Sequence, residues 1–264
     1  MARGTTGAGF FIAHGGRICY YRLMETKLLY LEDFTRLECE AKIIDRIQKD
    51  GKDILILDAT VFYPQGGGQP YDTGMIESAS GKFLVEEVRF MDGMVRHIGH
   101  VERGSFQTGE TVQCRIDAER RLLHSRIHSA GHLVDLAVNT LALPWTPGKG
   151  YHFPQGPYVE YAGALRDTDK EKLKSDIERV ANNAIQKGQV VAIRFMPKEE
   201  MASVVRFVPD NIPAGKPGRV VMFGSFGVPC GGTHVKNLSE IGRITIRKIK
   251  QEDKHVRVGY DVTQ

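Results

Sequence analysis

Four metal-ligand side chains stand in two short clusters roughly a hundred residues apart, and no other feature of this sequence restricts its folding as much. The first cluster is His124-Ser-Arg-Ile-His128-Ser-Ala-Gly-His132-Leu-Val-Asp135, and the second is Cys230-Gly-Gly-Thr-His234. A helix places residues four apart on one face, and a Gly-Gly turn lets Cys230 and His234 fold back onto one point. One cysteine and three histidines are a zinc donor set, so any fold of this chain must bring the two clusters together. His124 and His128 have the same spacing as His128 and His132, and at about 100° per residue all three cannot reach one ion. The stripe Leu123, Ile127, Ala130, Val134 and Ala137 reads as the buried face of that helix, which turns His128 and His132 toward a cleft. Asp117 is placed to cap the helix, which must end before Pro144. Asp135, three residues after His132, is placed to accept that imidazole's free N–H.

The chain has 264 residues, 41% of them hydrophobic, which suits two medium domains better than one. No run of eighteen apolar residues is present to cross a bilayer. Cysteines 19, 39, 114 and 230 form no CxxC pair and no dense disulfide framework, which points to a reducing, cytoplasmic setting. Residues 1–24 contain no acidic residue and are read as an N-terminal extension, with Met24 a plausible start of the functional chain. Residues 25–116 alternate short apolar strands with turns at Asp50-Gly51, Ser80-Gly81, Asp92-Gly93 and Thr108-Gly109, the pattern of a domain that is a small β-barrel or sandwich. Residues 117–264 carry the histidine helix, a second helix from about Thr168 to Gly188, and strands near Tyr158–Tyr161, Val190–Phe195, Arg219–Phe223, Arg243–Ile249 and His255–Tyr260. This half is an α+β domain.

Within the first half stands Thr60-Val-Phe-Tyr63-Pro-Gln-Gly66-Gly-Gly68-Gln69-Pro-Tyr-Asp72-Thr-Gly74. Three successive glycines allow backbone angles other residues avoid and a close approach to a ligand or another strand; a bulged turn would need the same. A P-loop is excluded, since GxxxxGK[ST] is absent, and no nucleotide cofactor is indicated.

HxxxH followed by Cys-Gly-Gly-Thr-His, with Phe-Tyr-Pro-Gln-Gly-Gly-Gly-Gln ahead of them, closely resembles the editing domain of alanyl-tRNA synthetases and the free-standing AlaX trans-editing proteins of the longer type. The resemblance runs from about residue 25 to 262. It selects His128, His132, Cys230 and His234 as ligands of one zinc, because the family's second histidine precedes an apolar pair, here Leu133-Val134. His124 is then a surface or supporting residue. It also implies a small barrel followed by an aminoacyl-tRNA editing domain of α+β class, with Thr60, Gln69 and Thr233 as candidate substrate contacts.

The implied activity is zinc-dependent hydrolysis, in trans, of serine wrongly esterified to alanine-type tRNA, with glycine as a second candidate substrate. A shell of four protein ligands resembles a closed structural site, so turnover would need one of them, His234, to give way. The implied partner is tRNA. Net charge of +4 is a modest hint, and its distribution says more: Arg243, Arg247, Lys248 and Lys250 cluster on one strand, while Arg206, Lys216 and Arg219 flank a Pro-Gly loop. Two other readings fit the same residues: a zinc-stabilised RNA-binding module without turnover, and editing of serine on threonine-type tRNA. A zinc peptidase fits poorly, since no Glu follows His128 to act as base.

Overall fold

The computed structural model describes residues 25–165, 169–210, 212, 215 and 217–263, so the proposed extension and Lys216 lie outside the described residues. Six strands close into an antiparallel barrel: β1 (Glu38–Lys49), β2 (Lys52–Leu57), β3 (Gly74–Glu77), β4 (Gly81–Met91), β5 (Met94–Gly104) and β6 (Thr111–Ile116), in the order β1-β2-β5-β4-β3-β6. The alternation in Thr-Val-Gln-Cys-Arg-Ile explains why: Val112, Cys114 and Ile116 point inward and their neighbours outward. Cys39, Ala41, Ile43, Leu55, Leu57, Ile76, Phe83 and Val85 complete the filling. Two hairpins turn where the sequence places Asp-Gly. Asp50 and Gly51 have φ of 52° and 74°, and Asp92 and Gly93 have 53° and 78°, the paired left-handed angles of a two-residue turn.

The chain leaves the barrel at Ile116 and enters α1 (Ala118–Thr140), where the Asp117 carboxylate accepts the Arg120 N–H as a cap. The second half adds β7 (Thr146–Tyr151), β8 (Tyr158–Ala162), α2 (Lys170–Gln186), β9 (Val191–Met196), the short α3 (Lys198–Met201), β10 (Gly218–Phe223), β11 (Phe226–Pro229), β12 (Arg243–Glu252) and β13 (His255–Thr263). They form a sheet β12-β13-β8-β7 and a smaller sheet β9-β10-β11. The two helices pack on the larger sheet around Ile127, Ala130, Val134, Ile177, Ala181, Ile244 and Val258, giving a core separate from the barrel's. The architecture is α+β, a small barrel followed by an α+β unit.

Two expectations for α1 need correction. Leu123, assigned to the buried stripe, is 45% exposed, whereas Leu133 and Val138 are buried, so the middle of the helix is enclosed on several sides rather than one. His124, expected at the surface or in support of the ligands, is only 1% exposed, and burial beside Arg120 and Arg121 holds its imidazole down to about 4. Its Nδ1 has no hydrogen-bond partner among the described residues. The Thr-Pro-Gly-Lys-Gly-Tyr segment that forms β7 carries no strand pattern of its own; it is a strand because β8 pairs with it across a register shift.

Arg121 and Asp72 join the halves. Both are buried, and Arg121 Nε lies 3.1 Å from each Asp72 carboxylate oxygen. The guanidinium also donates to the carbonyls of Phe34 (3.1 Å) and Val61 (2.7 Å), while Asp72 Oδ2 accepts the Tyr63 N–H at 2.7 Å. The first turns of α1 are thereby tied to the glycine-rich loop.

Candidate metal centre

His128 and His132 project from α1 toward the loop after β11, and the donor atoms of His128, His132, Cys230 and His234 all lie within 4.8 Å of one another. Tetrahedral zinc holds ligand atoms about 3.5 Å apart, so a small contraction would close the shell. The loop reaches so close because residue 232 has no side chain: a Cβ on Gly232 would stand 2.2 Å from His128 Cε1. His132 Nε2 and His234 Nε2 are buried without a hydrogen-bond partner among the described residues, and His128 Nε2 faces Cys230 Sγ at 3.5 Å. Buried polar atoms are rarely left unpaired, and here they converge on one point with a thiol. The donor set therefore fits a divalent metal ion that accepts nitrogen and sulfur.

The outer nitrogen of each imidazole is held by a neighbour. His132 Nδ1 lies 3.1 Å from Asp135 Oδ2, and Tyr161 donates to the other carboxylate oxygen at 2.6 Å. His234 Nδ1 is 3.2 Å from Ser129 Oγ. His128 Nδ1 lies 2.7 Å from Gln69 Oε1. That oxygen also accepts the Thr233 backbone N–H at 3.0 Å, so it must be the carbonyl end of the amide. His128 Nδ1 therefore carries the proton and Nε2 presents its lone pair to the cluster. Gln69 Nε2 donates to Thr233 Oγ1 at 2.8 Å, which lies 2.8 Å from Ser125 Oγ.

Electrostatics prepare the same set. Burial, reinforced by neighbouring imidazoles, keeps His128 and His234 far below the usual histidine range, so both are neutral ligands. Burial alone would lower His132 too, but Asp135 and Cys230 outweigh it and hold it up to about 10. Burial opposes ionisation of Cys230, yet His132, the Gly232 N–H and Arg219 bring its thiol below the ordinary value. His132 and Cys230 thus each favour the other's charged form, and a metal taking both as ligands would displace a proton.

The cluster lies at the floor of a cleft of about 800 Å³, lined by residues from both halves including Tyr30, Tyr63, Lys149, His152, Phe207 and Cys230. The structure brings the four expected ligands together. It places Gln69 and Thr233 beside them, both fully buried with side chains spent on each other and on His128. Thr60 is elsewhere: its hydroxyl lies 2.8 Å from His97 Nε2 and accepts the Phe62 N–H, inside the barrel. Arg219 turns inward, donating to the carbonyls of Leu31 (2.9 Å) and Cys230. Arg243, Lys248 and Lys250 are exposed on β12, an edge strand, whereas Arg247 is drawn into contacts with Asp261 and the Tyr260 and Pro157 carbonyls. Lys250 holds Lys248 below its ordinary value, as adjacent like charges do. His152, Ser129 and Tyr260 carry no sequence motif and were missed; the glycines around His152 were the one available sign.

The barrel is tied to an α+β unit that carries one candidate ligand pair on a helix and the other on a glycine turn. Residues 18–120 match the family described as tRNA synthetases class II (A), and residues 219–257 match the threonyl and alanyl tRNA synthetase second additional domain. The first match begins before Met24. Relatives include alanine–tRNA ligases of Methanobrevibacter smithii (31% identical over 86% of this chain and 26% of the ligase), Methanothrix thermoacetophila (34%, over 75% and 22%) and Thermococcus kodakarensis (33%, over 87% and 25%). The chain thus spans about a quarter of the length of these relatives. It is similar to the part of alanyl-tRNA synthetases that carries these two domains.

Proposed function

We propose that this protein is an aminoacyl-tRNA deacylase that acts in trans on alanine-type tRNA wrongly charged with serine, with glycine as a second substrate, using one zinc ion. The observation that carries the reading is the convergence of three buried imidazole nitrogens and one thiol at the floor of an open cleft. Bound there, zinc would supply Lewis acidity to an ester or to a water. The chain's own residues do the rest. Gln69, Asp135 and Ser129 fix the imidazoles. Phe90 and Phe207, each about half exposed on the cleft's margin, offer ring faces to the terminal adenine, and Lys149 and Arg206 stand near for phosphates. Arg243, Lys248 and Lys250 offer a further contact for the tRNA backbone.

A second hydrolytic site is useful because a small apolar activation pocket cannot strongly reject serine, which is alanine plus one hydroxyl. We assign the protein to the cytoplasm, where its partner tRNA is charged; cell fractionation tests this. The decisive experiment measures deacylation of Ser-, Gly- and Ala-charged alanine-type tRNA with and without a chelator. Preferential, chelator-sensitive release of serine is expected. No hydrolysis of any charged tRNA would replace the enzyme by a zinc-stabilised binding module, and preference for Ser-charged threonine-type tRNA would overturn the substrate.

A further inference from the structure

We infer that His152 is the specificity-determining residue of the cleft, its Nε2 accepting a hydrogen bond from the side-chain hydroxyl of the esterified serine. This rests on the deacylase reading above. His152 is 3% exposed, and its ring stacks on His128 with centroids 4.4 Å apart and planes at 22°. Its Nδ1 lies 2.7 Å from the Tyr260 hydroxyl, which donates to the Ile127 carbonyl at 2.9 Å. Tyr260 has one proton, and a carbonyl cannot donate, so the hydroxyl must accept from His152. Nδ1 therefore carries the hydrogen, and Nε2 is left as a lone-pair acceptor in the cleft wall with no hydrogen bond of its own among the described residues.

Three glycines make this place. A Cβ on Gly131 of α1 would stand 2.5 Å from His152 Cε1, so only glycine lets the ring lie on the helix. A Cβ on Gly68 would meet the Gly150 carbonyl oxygen at 2.1 Å, and the Gly68 carbonyl accepts the His152 N–H at 2.8 Å. A Cβ on Gly150 would stand 2.2 Å from Nε2 itself and would cover it. The glycine-rich loop, the helix and β7 thus each give up a side chain at one imidazole, and the last omission keeps its acceptor open. Meanwhile Gln69 and Thr233 are saturated and Thr60 points into the barrel, so none of the three is free to read a hydroxyl. Serine differs from alanine by that donor alone, and a site built to bond a hydroxyl discriminates against the analogue lacking it.

The test compares wild-type protein, His152→Phe and His152→Gln for kcat/KM on Ser- and Ala-charged tRNA. Phenylalanine keeps the ring on His128 and leaves Tyr260 bonded to Ile127, so zinc content should be unchanged. About a tenfold fall for Ser-charged tRNA is expected, with Ala-charged tRNA unaffected, the effect of one lost hydrogen bond. Glutamine, with an amide near the place of Nε2, should recover part of the preference. Equal loss on both substrates, or no loss, overturns the inference. A second readout needs neither a variant nor turnover. In wild-type protein the His152 Nε2 ¹⁵N resonance should move on titration with 3′-seryl-amino-3′-deoxyadenosine and stay in place with the alanyl analogue. Identical responses overturn the inference even where deacylation itself is absent, which is how its failure is told from that of the enzyme reading.

Discussion

Replacing Gln69 by Leu removes one side chain of similar size from a site with no solvent access and leaves two donors, His128 Nδ1–H and Thr233 N–H, without acceptors. Each such buried group costs about 1–3 kcal/mol, so the metal-free protein should lose about 2–6 kcal/mol of stability. Thr233 Oγ1 keeps Ser125 as a partner and adds little. His128, no longer held with Nε2 toward the cluster, should bind the proposed zinc about 10–100-fold more weakly, the usual effect of removing a support from a ligating imidazole. Gln69→Glu is the control. Its carboxylate can accept from both donors while the Thr233 hydroxyl turns to donate, so zinc affinity should stay within a few-fold of wild type. Competition against a colorimetric chelator gives the dissociation constant, and urea unfolding gives the stability. A Gln69→Leu protein that binds zinc and unfolds like wild type would refute the argument that the glycine-rich loop orients His128.

Other predictions follow from individual contacts. Cys230→Ala should weaken metal retention strongly, whereas His124→Ala should leave stoichiometry near one; metal analysis after dialysis against chelator separates them, and loss in His124→Ala alone would move the site one helical turn. Arg121→Met leaves the Asp72 carboxylate buried without its cation and should cost about 3–5 kcal/mol in urea unfolding; a loss under 1 kcal/mol would show that the halves are joined by other means. His97 is held down to about 4 by burial, against an ordinary value of 6.5. The unfolded chain therefore takes up a proton that the folded chain refuses. This stability is fully present above pH 6.5 and is lost as pH falls toward 4, at about 1.4 kcal/mol per pH unit. His97→Gln should flatten the stability slope between pH 6.5 and 4.5 by close to one proton, and an unchanged slope would rule His97 out as its source.

The features legible in the sequence are those whose partners are near in the chain or whose chemistry admits few alternatives. HxxxH works because i and i+4 share a helix face, and Asp-Gly works because two left-handed residues are costly for other pairs. Asp135 was legible as a partner of His132 for the same local reason. Gln69 was legible as important but not for its role, since its partner Thr233 is 164 positions away and nothing local says which way an amide points. Thr60 was misjudged by proximity in sequence: it precedes the glycine loop, but its strand pairing turns the hydroxyl to His97. Leu123 fits the apolar period of α1, yet the helix is enclosed only from about its second turn onward, beyond the reach of any periodicity argument. His152 left no pattern because its position is made by three glycines on three different elements.

The amide of Gln69 belongs to the barrel side of the molecule, while the imidazole it holds belongs to the other side. Ion uptake and domain docking are therefore linked equilibria, and linkage is reciprocal: whatever factor the docked barrel adds to affinity for the ion, the ion adds to docking. Two separately produced halves of this chain should accordingly reassociate more tightly when zinc is supplied, and an ion held there would act as a rivet between them.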